Sequence, residues 1–145
     1  METKINIMGS EVEEGFVCKP KKLNQNRAIM HFKTHIFICE GDRCKGANKN
    51  LDLVYNLREI VKKQNLHIGK NRIKISRSGC YGACRFRGVA NIYENTNSNG
   101  CLQNNNVWLK NIHNFDDKKW IKLFLKLSEN KKLDDFESIE MAVVN

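Results

Sequence analysis

Two hydrophobic rhythms alternate along the chain, and the switches between them mark its elements. Thr34–Cys39 reads Thr-His-Ile-Phe-Ile-Cys, a short apolar run that fits a buried strand. Residues 40–49 carry Gly41 and Gly46 and read as a loop. Over residues 50–65 the apolar positions Leu53, Val54, Leu57, Ile60 and Val61 recur at helical spacing, so one face can pack on a sheet. Lys62 and Lys63 suit the end of that helix, where its dipole is negative. Residues 72–76 alternate, with Ile73 and Ile75 on one side, as in a half-buried strand.

Residues 78–88 form a glycine-punctuated loop, and residues 89–93 predict a third strand. The Asn-rich stretch 95–106 reads as a long, mobile hairpin connection to a fourth strand at Val107–Leu109. A second helix is expected from Asp116 to about Lys131. Trp120, Leu123, Phe124 and Leu127 follow i, i+3, i+4, i+7, and Asp116 and Asp117 occupy the favourable first turn. Trp120, Phe124 and Leu127 are expected in the core, with Trp108 joining them.

The order β-α-β then β-β-α predicts an α/β fold, a small mixed sheet covered by helices. A parallel first pair needs a crossover connection. Residues 1–32 are poorly patterned and read as an extension or a short extra strand, 33–131 as the domain, and 132–145 as an acidic tail. The chain shows no internal repeat.

Its 145 residues suit one domain, and at that length roughly two-thirds of the unfolded surface can be buried without disulfide staples. A composition of 41% hydrophobic and 28% charged residues is that of a globular protein. No apolar run approaches the roughly 18 residues of a membrane span. Residues 1–16 hold Glu11, Glu13 and Glu14 and no apolar stretch, so no secretory signal is expected and the cytosol is the expected compartment. Thiols stay reduced there, so six cysteines call for a purpose other than disulfides. The formal charge of +9 admits nucleic acid, an acidic protein or an anionic cofactor.

Four of the cysteines fall in two tight pairs, Cys39 with Cys44 and Cys80 with Cys84. Each pair follows a predicted strand of the same β-α-β unit. Parallel neighbours would deliver both loops to one edge of the sheet, where four thiolates can meet. Such a set suits a soft metal centre, whether a [2Fe–2S] cluster, a [4Fe–4S] cluster or zinc. Gly41, Gly46, Gly79 and Gly82 let backbone N–H groups approach cluster sulfurs. Arg43, Lys45, Arg77, Arg85 and Arg87 surround the pairs, and nearby cations stabilise a reduced, more negative cluster. There is no Cys-x-x-Cys, which argues against a thioredoxin-type dithiol and a zinc ribbon. Ala47 stands where a plant-type ferredoxin run needs a third cysteine, and no cysteine-histidine spacing suits a Rieske centre.

Cys39-x4-Cys44, the helix after it and Ser78-Gly79-Cys80-Tyr81-Gly82-Ala83-Cys84 resemble the thioredoxin-like [2Fe–2S] ferredoxins. The resemblance spans roughly residues 33–127. It implies a thioredoxin-like fold, one [2Fe–2S] cluster on Cys39, Cys44, Cys80 and Cys84, and single-electron transfer with a redox partner protein rather than catalysis. The same fold serves as a small subunit of NADH:quinone oxidoreductase and of some hydrogenases. A zinc-stabilised binding module is the other alternative. The family often has Gly-Pro after the last ligand; here Val89 follows Gly88, which leaves a looser turn. Such ferredoxins are usually acidic, and this chain is basic, which suits a partner with an acidic surface. A homodimer is allowed, a membrane partner is not expected, and nucleic acid is disfavoured because no aromatic-basic platform is visible.

Cys18 and Cys101 fall outside the pattern and read as spare thiols. His35 lies near Cys39 and reads as a strand residue with some scope to tune a cluster by hydrogen bonding. His31, His67 and His113 read as surface or turn positions. Tyr81 and Phe86 read either as a water shield for the centre or as ordinary hydrophobic cover. No phosphate-binding glycine loop, Ser-His-Asp set or paired-carboxylate site is present.

Overall fold

A computed structural model describes residues 3–5, 11–13, 32–49, 51–97 and 99–140. Strands β1 (Thr3–Ile5) and β2 (Glu11–Glu13) pair antiparallel with each other. The basic stretch between Lys19 and Arg27, with Cys18, Pro20 and His31, lies outside the described residues.

The main body is a four-stranded sheet. In chain order its elements are β3 (Thr34–Cys39), α1 (Asp42–Ala47), α2 (Leu53–Lys63), β4 (Ile73–Ser78), β5 (Ala90–Glu94), β6 (Val107–Leu109) and α3 (Asp117–Ser128). The strand order is β4-β3-β5-β6. β3 and β4 are parallel, with α2 in the crossover; β3 with β5 and β5 with β6 are antiparallel. No helix among the described residues is long and apolar enough to cross a membrane.

Period-2 patterning places Ile36, Ile38, Ile73, Ile75, Ala90 and Ile92 on one sheet face, all buried. The stripe Val54, Leu57, Ile60, Val61 of α2 and the stripe Trp120, Leu123, Phe124, Leu127 of α3 complete that core. Burying each large apolar side chain contributes about 1.5–3 kcal/mol. Both helices are shorter than the periodicity alone predicts, because side-chain caps set their starts. Asp52 accepts from the Tyr55 N–H at 3.1 Å, and Asp116 from the Lys119 N–H at 2.8 Å. Asn65 and Asn130, both left-handed, follow their ends.

Two expectations need correction. Residues 40–49 are not simply a loop: Asp42–Ala47 is a short helix with Asp42 in its first turn. Gly46 sits in the last turn of that helix, and its poor helix propensity hid the element. The Asn-rich connection is pinned rather than mobile. Asn104 is buried and donates to the Lys131 carbonyl at 2.9 Å, while Asn105 accepts from the Glu94 N–H at 3.0 Å. Its asparagines replace backbone partners, which composition does not reveal. The segment after α3 also packs on the body: Leu133 and Phe136 are buried, and Ser138 bridges Leu109 at the β6 edge.

A buried ion pair closes the end of the sheet away from the cysteine pairs. Lys33 has no exposed side-chain surface, and its Nζ lies 3.0 Å from Glu94 Oε1. It also donates to the Leu127 carbonyl at 2.5 Å, in the last turn of α3 where a cation is favoured. Thr34 donates to the other Glu94 oxygen at 2.6 Å.

Candidate functional site

The parallel register brings the two cysteine-bearing loops to one end of the sheet. β3 and β4 stay paired until Cys39 meets Ser78, and just beyond, the Glu40 N–H donates to the Ser78 carbonyl at 2.8 Å. The loops then touch: a Cβ built on Gly41 would lie 2.8 Å from the Cys80 Cβ. Glycine at 41 is what permits that approach.

Cys39 ends β3 and is buried, with its Sγ 3.6 Å from the Gly79 carbonyl. Cys44 is the buried residue of α1. Both belong to a small apolar cluster with Val89, separate from the main core, against which Ala83, Phe86, Trp108 and Ile139 pack. Cys80 is exposed, and the Gly82 N–H donates to its sulfur at 3.2 Å. Gly82 has φ +77°, so the turn that aims this N–H needs glycine. Cys84 opens the 3-10 turn Cys84–Phe86. Cys101 lies in the connection beyond the opposite end of β5, its Sγ 3.9 Å from the Asn130 carbonyl. Among the described residues no three His, Cys, Asp or Glu side chains are gathered closely enough to hold a metal ion. Sulfur donors on two touching loops have the chemistry of a soft centre.

The charges around the loops divide into two kinds. Arg43, Lys45, Arg85 and Arg87 are exposed. Arg77 is not the plain cation expected from sequence. It donates to Glu40 Oε2 at 2.7 Å and to both Asp52 oxygens at 2.9 and 3.0 Å. Those hydrogen bonds push the Arg77 guanidinium further up and hold the Asp52 carboxyl below its usual range. Two carboxylates thus offset its charge. Sequence reading missed this network; Asp52, three residues before Tyr55 at a helix start, was its visible trace as a cap.

The aromatic cover also differs from expectation. Trp108 does not join Trp120 in the main core; it stands on the other sheet face, because Val107 and Leu109 take the inward positions of β6. Tyr81 meets it edge to face, with ring centroids 4.8 Å apart. Burial raises the Tyr81 phenol above its ordinary range. Phe86 packs on the cysteine cluster, with Arg85 and Lys110 each 5.4 Å from its ring centroid.

His35 is engaged elsewhere: its Nε2 is 2.7 Å from Ser76 Oγ. Burial, then the charges of Lys74 and Arg72, lower its pKa to about 4. The turn after Cys84 is tighter than expected without Gly-Pro. The buried Gly88 donates its N–H to His113 Nδ1 at 3.0 Å and accepts from the Ile112 N–H at 3.2 Å. The next carbonyl, that of Val89, accepts from the Cys39 N–H at 3.0 Å. His113, read as a surface position, is therefore a fastening of this loop.

Among solved structures, the chain is similar to the crystal structure of the wild-type thioredoxin-like [2Fe–2S] ferredoxin from Aquifex aeolicus. The TM-score is 0.53 at 16% identity, over 77% of this chain and 100% of that one. The fold is thioredoxin-like. No protein-family model and no curated protein sequence matches the chain. The thioredoxin-like arrangement places the β3 and β4 ends, with their cysteine loops, side by side.

Proposed function

We propose that this chain is a cytosolic one-electron carrier, not an enzyme, in which Cys39, Cys44, Cys80 and Cys84 hold a single [2Fe–2S] cluster. The observation that carries this reading is the contact of Gly41 with Cys80 across two adjacent parallel strand ends. It brings together the loops that carry the two sequence-distant pairs. The solved ferredoxin of the same fold adds weight.

A bound cluster supplies a one-electron couple. The chain's own residues supply the rest. Val89, Phe86, Trp108 and Ile139 keep water from Cys39 and Cys44. A drier surround strengthens every charge interaction in the site. The exposed Cys80 loop leaves the centre near the surface, which shortens the path to a partner. The exposed cations Arg43, Lys45, Arg85 and Arg87 form a positive rim that steers and orients a redox partner with an acidic surface.

Anaerobic purification with iron and sulfide analysis tests the reading. The expected result is a red-brown protein with about two irons and two sulfides per chain, bleached by dithionite, with an EPR signal when reduced. A colourless protein carrying one zinc overturns it.

A further inference from the structure

One guanidinium joins three pieces of chain around the cysteine loops. Arg77 stands near the end of β4, three residues before Cys80. Its Nη1 donates to Glu40, the residue after Cys39, and its fork takes both oxygens of Asp52, the cap of α2. Asp52 Oδ1 also accepts from the Tyr55 N–H, so the same carboxylate starts the helix and receives the arginine. A second fastening lies nearby: Arg58 of α2 donates through Nε and Nη2 to the Ile75 carbonyl of β4, at 3.2 and 2.9 Å.

The position of this network matters more than its strength. The β3–β4 ladder stops at Cys39 and Ser78. Past that point the Glu40 N–H to Ser78 carbonyl bond links the loops through the backbone, and the Arg77 clamp acts just there. Arg77 is 41% exposed, so deleting it opens no cavity in the core. Isolated exposed ion pairs contribute little, but a network with two-pronged geometry is the arrangement in which they count.

We propose that Arg77, with Glu40 and Asp52, is the positioning clamp that holds the Cys39–Cys44 loop against the Cys80–Cys84 loop at the spacing a shared cluster needs. This rests on the [2Fe–2S] reading above. Arg77 acts through the loops it ties. A lysine carries the charge but lacks the planar fork, so it restores the clamp only in part.

The test uses the purified holoprotein and the variants Arg77→Met, Arg77→Lys and Glu40→Gln. Lys62→Met, at an exposed cation on α2, serves as control. Three quantities are read: the rate of bleaching by a chelator, the EPR line shape after dithionite, and the thermal midpoint of the secondary structure. Arg77→Met should lose its cluster roughly tenfold faster or more, in keeping with the affinity lost when groups that orient metal ligands are removed. Its EPR line shape should change while the thermal midpoint moves little. Glu40→Gln and Arg77→Lys should fall between it and the wild type, and Lys62→Met should match the wild type.

Wild-type bleaching and a superimposable EPR spectrum for Arg77→Met overturn the clamp and leave the cluster reading intact. Should Arg77→Met fail to fold, Glu40→Gln decides alone by the same two readouts. A wild-type protein without iron and sulfide overturns the cluster reading and the clamp together.

Discussion

Gly41 lies against Cys80 so closely that a Cβ on residue 41 would sit 2.8 Å from the Cys80 Cβ and 3.2 Å from its Cα. Neither atom is the movable end of a flexible side chain. The first loop has no room for any side chain at this point, and the second has none to give.

Gly41→Ala should therefore force the loops apart. We expect a stability loss of about 1–3 kcal/mol, as for overpacked sites, and an iron content well below that of the wild type. Denaturant titration and iron analysis check it. Unchanged values for both would mean the contact has slack.

Cys80→Ser should destabilise or abolish the cluster, whereas Cys18→Ser should leave it. Absorbance and EPR of the two proteins, prepared in parallel, decide this. A red, reducible Cys80→Ser protein with the wild-type spectrum would count heavily against the ligand set.

Lys33→Met should be strongly destabilising, by about 3–5 kcal/mol, because it leaves Glu94 buried without its cation. Adding Glu94→Gln should recover part of the loss by removing the stranded charge. Urea midpoints of the single and double variants measure it. Equal midpoints for wild type and Lys33→Met would show that the pair contributes nothing net.

His35 ties stability to pH. Its folded pKa is about 4 against an ordinary 6.5, so between those values the unfolded chain binds a proton that the folded one does not. Stability should accordingly rise with pH from about 4 to about 6.5 and be level in this respect outside that window. His35→Gln should flatten that part of the curve when its urea midpoints are compared with those of the wild type. Parallel curves would show that the imidazole titrates normally.

Much of the fold is legible in the sequence because its elements are amphipathic. The stripe from Val54 to Val61 and the stripe from Trp120 to Leu127 name the two packing helices. The alternation around Ile73 and Ile75 names the strand they cover. Caps and pins are less visible. Asp52, Asp116 and Asn104 act through particular hydrogen bonds whose partners composition does not show. A three-residue strand has too few positions to reveal its parity, so pattern alone puts Trp108 on the wrong face.

Periodicity and spacing are local properties, and they were enough to read the βαβ-then-ββα order and the two cysteine pairs at the ends of its first two strands. It takes the folded chain to bring Gly41 against Cys80, to set Arg77 on two carboxylates rather than leave it a bare cation, and to seal Lys33 against Glu94. Each of these joins residues far apart along the chain. Their distance is fixed by how the sheet registers and what the helices bury, which no local pattern contains.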